Sequence, residues 1–434
     1  MPEEPKSRKE SAPTCSSGFI AEDGTVVELI LDDGRVGTTF AMSRNGEVAI
    51  AQSVEFESGE KVLPIPATNN LLRHRAVLLP GTPLPFESAE ALLAEIRAYI
   101  RRYLSLSPDF LVVASAYALF SWVYDAFNEV PYLRFRGDFG SGKTRALTVV
   151  GSLLYKAFIA SGASTVSPIF YTLDTFRGSL VIDEADFRFS DKDADVVKIL
   201  NNGNVRGFPV LRQSMNQKRE FDPRAFQVFG PKIVAMRYAF EDAALESRFL
   251  TEEMGQRAVD EAIPQNLPPS QESDAAALRR KLLMYRLMER SRVAIDPTLV
   301  DTSRAARMNQ ILVPLLSVVP TEAERHAIER VATRIDLELL LDRTQSPEAS
   351  LLRILVDGFH DESVLSVKIT DIAISLARSG AEFDRTVTPK YVGYLVRKRL
   401  HLFAYKRSGM YEIGVSERPK IMVLAKRFGV LDEV

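Results

Sequence analysis

The octapeptide Gly137-Asp138-Phe139-Gly140-Ser141-Gly142-Lys143-Thr144 has the spacing G-x-x-x-x-G-K-T. It lies between the alternating run Tyr132-Leu133-Arg134-Phe135-Arg136 and a helical pattern that begins at Arg145-Ala146-Leu147. No other stretch restricts the fold as tightly, because a strand, a glycine-rich loop and a helix must follow one another here. The glycines let successive backbone N–H groups curl around phosphate oxygens, the helix N-terminus adds positive potential, and Lys143 has the reach for terminal phosphates. Thr144 is the candidate to place its hydroxyl on a magnesium ion. Residues Gly137 to Thr144, with Arg145 beside them, are the expected binding residues for ATP. The bland alternative is a glycine-rich turn that happens to end in Gly-Lys-Thr.

Forty residues after Lys143, the apolar run Leu180-Val181-Ile182 ends in Asp183-Glu184. A helix over 143–156, a strand at 157–160 and a helix over 167–176 fill the interval, and a helix over 192–203 and a strand at 232–236 follow. Strands alternating with helices imply an α/β fold with a parallel sheet whose ligands sit at the strand carboxyl ends. An apolar strand ending in two acids is common alone. Beside a phosphate loop at this distance it gives Asp183 the role of holding magnesium and Glu184 that of orienting and deprotonating the attacking water, since phosphoryl transfer needs positioning and charge neutralisation.

Between these core strands, residues 208–229 read as a β-hairpin with Lys218 and Arg219 near its tip. Two readings stand: a solvated basic turn, or a DNA-contacting loop. The net charge of −2 argues against a globally basic nucleic-acid coat, so DNA affinity must come from local basic patches.

Around the core (131–255) the chain divides by composition. Residues 1–17 lack periodicity and are expected to be disordered; 18–86 show period-two runs and tight turns of a small β domain; 87–130 form a helical preface. Within the preface, Phe110 to Phe127 carries one charge, Asp125, and is long enough to span a membrane. Ser115, Ser121, Asp125 and the position just before the P-loop strand favour a buried core helix instead. The single cysteine, Cys15, excludes a disulfide framework and cysteine-ligated zinc. No basic start precedes an apolar N-terminal core, so a cytoplasmic location is expected. The four histidines are scattered without metal-ligand spacing.

Beyond the prolines of 264–270, helices are expected over 270–343, with Thr321-x-x-Glu324 as a capping box. Residues 347–434 read as three helices and a hairpin around Arg407-Ser408-Gly409, with Thr370 and Thr388 as helix caps. This unit resembles a winged-helix domain. Its third helix carries Lys390, Arg397, Lys398 and Arg399 and its wing Lys406 and Arg407, where such domains meet phosphates; a winged helix used for protein contacts is the alternative.

In order, these elements resemble the AAA+ ATPases, and among them the minichromosome-maintenance-like helicases and related ATPases of phages and mobile elements. The resemblance covers about residues 110–320 and rests on the Gly137–Thr144 loop, the Leu180–Glu184 strand, the hairpin at 208–229 and Ser247-Arg248-Phe249. It implies that 270–343 is an all-α lid, that the hairpin tracks DNA in a ring pore, and that Arg248 acts on a neighbouring subunit's nucleotide, hence a ring, expected to be hexameric. Arg307 is the candidate second sensor arginine, with Arg304 competing for the role. The chain departs from the pattern at Met236-Arg237, where the family carries a polar Asn, and in having no zinc cysteines.

Catalysis would thus draw on Lys143, Glu184, Arg248 and Arg307, with ATP and Mg²⁺ as cofactors, single-stranded or forked DNA and further copies of the chain as partners, and no membrane. The expected activity is that of a DNA-dependent ATPase working as a helicase or translocase. An initiator, loader or regulatory switch of a mobile element or defence system, or a protein remodeller, are the alternatives.

Overall fold

The computed structural model describes residues 13–32, 34, 37–56, 60–161, 164–183, 191–215, 221–240, 242–258, 260–361, 363–379 and 386–431, with the side chains of 191–195 and 214–215 left out. Glu184, Lys218 and Arg219 lie outside the described residues. The chain divides into two compact units, Met1–Ala332 and Thr333–Val434.

At the centre of the first unit is a five-stranded parallel sheet, in the order Phe249–Glu253, Tyr132–Arg136, Lys232–Met236, Leu180–Ile182, Phe158–Ala160. Leu180–Ile182 and, after Lys232, the rest of Lys232–Met236 are continuous apolar runs because both faces are covered, the sequence signature of a parallel sheet; every residue of these two strands is buried. The order has one functional consequence. The strand Lys232–Met236 stands between the strand that feeds the glycine loop and the strand that ends at Asp183, so loop and acid are two strand spacings apart, about 10 Å.

The apolar run before the sheet is a buried helix, Pro108–Ser121. Ser107 caps it by accepting from the Phe110 N–H at 3.2 Å, and the hydroxyls of Ser115 and Ser121 donate to the carbonyls of Leu111 and Ala118, so its polar groups cost little when buried. Among the described residues no helix is long and apolar enough to cross a membrane. The helix following the glycine loop spans Lys143–Gly151 and is shorter than its periodicity predicts.

The N-terminal region forms a four-stranded antiparallel sheet, Gly18–Ile20, Val26–Asp32, Gly37–Arg44, Glu47–Ala51, with an Asn45-Gly46 turn at φ +52° and +86°. Part of the expected tail is ordered. Thr14–Ser16 is a strand that pairs in parallel with Lys61–Pro64, Cys15 opposite Leu63, so the sheet edge rather than local periodicity holds it. This region is fixed to the core by buried charge. Glu28 meets Lys156 Nζ at 2.8 Å and Arg286 Nε at 2.6 Å, and Asp125 takes Arg286 Nη1 at 2.8 Å and Arg290 Nε at 2.6 Å. Burial pushes the Glu28 and Asp125 carboxyls up, but the surrounding cations outweigh it and hold both below the usual carboxylate range. Arg286 belongs to the helix Ser270–Glu289, so one cluster ties the N-terminal sheet, the core and the first of the post-core helices.

The helices Ala306–Leu316 and Glu322–Thr344 follow, and the capping pair forms: Thr321 Oγ1 donates to Glu324 Oε2 at 2.9 Å. The unit boundary falls inside this last helix. In the second unit the helices Pro347–Gly358, Ile369–Arg378 and Pro389–Tyr394 pack with a three-stranded antiparallel sheet, Ser366–Lys368, Met410–Gly414, Ala404–Arg407, and a closing helix Arg418–Arg427. Ser408-Gly409, at φ +49° and +86°, makes the two-residue hairpin turn. Two expectations are corrected in detail. Lys368, not Thr370, occupies the cap of the second helix, because the added strand Ser366–Lys368 runs straight into it. Thr388 does cap the third, accepting from the Tyr391 N–H at 3.2 Å, and that helix ends in a π-helical turn at Leu395–Arg399.

Candidate nucleotide-binding site

The glycine loop leaves its strand at Arg136 and enters its helix at Lys143, as the spacing requires. Gly140 and Gly142 take φ of +73° and +91°, where a side chain would be strained. At Gly137 a Cβ would stand 2.7 Å from the Met254 carbonyl oxygen, so close approach of the neighbouring chain demands glycine. No side chain caps the helix that begins after Gly142, as is also the case for the helices starting at Val166, Ser270, Ala306, Ile369 and Arg418. Its first-turn N–H groups and its dipole are thus left for an anion.

Loop and acid come together at the carboxyl edge of the sheet. Thr144 Oγ1 donates to Asp183 Oδ1 at 3.3 Å, and Lys143 Nζ is held at the loop mouth by the carbonyl oxygens of Gly137 and Asp138, both at 2.7 Å. A cavity of about 650 Å³ opens here, walled by the loop residues 139–145, Asp183 and the end of the inserted strand at Arg237. The Ser141 hydroxyl is buried in the loop without a hydrogen-bond partner. Arg145, on the cavity wall, also donates its guanidinium N–H groups to the carbonyls of Pro264, at 2.7 Å, and Gln265, tying the linker to the first turn of the helix.

Arg248 lies at the other end of the sheet. Its carbonyl accepts from Tyr132 N, at the start of the P-loop strand, whereas the loop leaves from that strand's far end. Five residues of strand separate the two, about 13 Å, so within one chain Arg248 does not reach its own phosphate loop. Its guanidinium is buried, donating to Asn201 Oδ1 and, at 3.4 Å, to the Leu200 carbonyl, while its Nε has no partner. Burial holds it below the usual arginine range; Tyr132 opposes this and the cation of the nearby, half-buried Arg307 adds to it. Arg304, the competitor, is tied to Asp301 Oδ2 at 2.9 Å.

One arrangement escaped the sequence. Arg134 is buried in the P-loop strand, donating to both carboxylate oxygens of Glu246 and to Thr251 Oγ1 at 3.1 Å. Glu246 sits two residues before Arg248, so this pair fixes the segment that presents it. The arginine within the apolar run Tyr132–Phe135 was the available signal.

The hairpin strands Val210–Met215 and Phe221–Phe226 pair in antiparallel register, with Leu211 and Phe221 about 70% exposed. In the second unit Lys390, Arg397, Lys398, Arg399, Lys406 and Arg407 are all exposed. They are not equivalent: Arg399 Nε pairs with Glu348 Oε1 at 2.6 Å, and Arg397 lies over the Tyr411 ring at 5.1 Å. Among the described residues no cluster of three metal-ligating side chains occurs.

The chain matches no protein-family model and no curated protein. Solved structures aligned with it include the NrS-1 C-terminal region (305–718), at 12% identity over 90% of this chain and 96% of that one, with a TM-score of 0.37. Another is the JCV helicase, at 16% identity over 57% of this chain and 61% of that one, with a TM-score of 0.26. Both scores lie below 0.5.

Proposed function

We propose that the chain is an ATP-hydrolysing enzyme of the AAA+ type that acts on DNA as a ring-forming helicase or translocase. The observation that carries the reading is Thr144 Oγ1 beside Asp183 Oδ1, next to an uncapped helix start and a glycine loop. The residues fit ATP and magnesium: the buried Ser141 hydroxyl has no partner, and the positive-φ glycines Gly140 and Gly142 put no side chain over the loop. The loop amides and Lys143 would hold the phosphates, and Thr144 and Asp183 the metal. Bound magnesium would supply charge neutralisation on the phosphates. The two-strand separation of loop and acid leaves room at the sheet edge for a water, which Glu184 would orient and deprotonate. Arg237, on the cavity wall, takes the sensor position.

Arg248, too far from its own loop, would complete the site of a neighbouring copy, together with Arg307, which is what supports a ring. The region 270–343 is read as the lid and 347–434 as a winged helix, with the 208–229 hairpin facing DNA. The inward-held guanidinium of Arg248 also favours a second reading, a switch ATPase that hydrolyses slowly and displaces nothing. Strand displacement on forked DNA separates the two. A motor displaces the strand with ATP and not without it; a folded, ATP-hydrolysing protein that displaces none is a switch.

A further inference from the structure

We propose that the cavity at the root of the hairpin, edged by Arg177, Arg206 and Arg224, binds the phosphodiester backbone of single-stranded DNA; this rests on reading the chain as a DNA-acting enzyme. The cavity, about 630 Å³, lies between the first N-terminal strands and the core, away from the phosphate loop. Six cations and three carboxylates line it. Their arrangement is uneven. On the floor Glu28 and Asp125 closely pair Lys156, Arg286 and Arg290. At the mouth the one lining carboxylate among the described residues is Asp174, 3.4 Å from Arg224 and 3.8 Å from Arg177, and it also accepts from the Gln227 N–H. The excess positive charge therefore sits at the entrance.

Besides the contacts of Arg177 and Arg224 with Asp174, the three guanidiniums there are braced through neutral groups. Arg206 donates to the carbonyls of Asp125, at 2.7 Å, and Phe127, at 3.0 Å, and lies over the Phe229 ring. Arg177 Nε donates to the Asp174 carbonyl at 2.9 Å, and Arg224 lies over the Tyr171 and Phe226 rings. A guanidinium has five N–H donors in a fixed fork, so bracing by carbonyls and rings orients it while donors remain for an oxyanion. The backbone supports the same reading. Arg177 ends its helix at φ +52°, a left-handed position usually given to glycine, so an arginine stands where a smaller residue is conformationally cheaper.

Arg224 belongs to the returning hairpin strand and Arg206 precedes the outgoing one, so a strand lying on the hairpin passes these charges at its base. A cavity of this size admits a single strand and not a duplex, which is about 12 Å across its wider groove alone.

The test is fluorescence anisotropy of a labelled thirty-nucleotide oligo(dT) with the full chain across a salt series. Each phosphate contact contributes about 0.7 to the slope of log K against log salt for single strands. Single Arg177→Gln, Arg206→Gln and Arg224→Gln variants should each lower the slope by about 0.7 and the triple variant by about 2, with a tenfold or greater loss of affinity. Arg44→Gln, on the outer N-terminal sheet, should change neither. A triple variant with wild-type slope and affinity overturns the proposal while leaving a DNA-acting enzyme intact. Wild-type protein that binds ATP but no oligonucleotide overturns both. Should the triple variant fail to fold, hydrogen exchange on the wild type decides: oligo(dT) should slow exchange in 174–178, 204–208 and 222–229, and unchanged exchange there contradicts the site.

Discussion

Thr144 and Asp183 meet across the strand that separates them: the threonine hydroxyl donates to the aspartate carboxylate at 3.3 Å, although the two leave strands that are not neighbours in the sheet. On the proposed reading the two residues would share one cation beside the start of the helix Lys143–Gly151. Asp183→Asn should retain ATP binding and lose magnesium-dependent turnover by about a hundredfold or more, equivalent to about 3 kcal/mol of transition-state stabilisation. Nucleotide binding by equilibrium titration beside steady-state hydrolysis checks it.

Arg248 makes its prediction through geometry, since it stands at the opposite end of the strand from its own loop. Arg248→Ala should bind ATP normally and turn over on the order of 10³-fold more slowly. Mixing Arg248→Ala with Asp183→Asn should restore activity, because each supplies what the other lacks at a shared interface. Two inactive variants that stay inactive when mixed, under conditions where wild-type copies associate, contradict a finger acting between copies.

Arg286→Met should destabilise the first unit by about 3–5 kcal/mol, because two buried carboxylates lose their shared partner. The pH dependence has a definite sign. Glu28 and Asp125 have carboxyls held below their ordinary values in the folded chain. Their stabilisation is present above the unfolded carboxyl range and is lost as pH falls through the lower folded values. Wild-type stability should therefore drop in acid below about pH 4. In the variant the carboxylates protonate more readily, so its deficit should narrow as pH falls; denaturant unfolding at several pH values measures this.

The exposed cations of the second unit should separate by partner. Lys398→Gln and Arg407→Gln should each weaken duplex DNA binding and reduce the salt slope by about 0.9. Arg399→Gln should instead cost about 1 kcal/mol of stability through Glu348, with a smaller effect on DNA affinity. Equal salt slopes for all three variants contradict this division.

The glycine loop, the acidic strand and the parallel sheet were legible in the sequence because each is a local pattern with a strict spacing. The inserted strand between loop and acid follows from pairing, which no local pattern records. The same limit hid the cluster of Glu28, Asp125, Lys156 and Arg286, residues scattered over most of the first unit and joined only by folding. Thr14–Ser16 looked structureless for the same reason, since its partner strand begins at Lys61. Ser247-Arg248-Phe249 could be read as a motif, but its distance from its own phosphate loop depends on the strand it precedes. Arg145 adds a contact that no local pattern records, since its guanidinium reaches the carbonyls of Pro264 and Gln265, distant in sequence.

The most direct test of the central claim is the steady-state rate of ATP hydrolysis by purified protein, with and without single-stranded DNA, for the wild type and Lys143→Ala. The account predicts magnesium-dependent hydrolysis that DNA accelerates, and none above background in the variant. Wild-type protein that is folded yet hydrolyses no ATP under either condition, or a Lys143→Ala variant that matches it, contradicts the account.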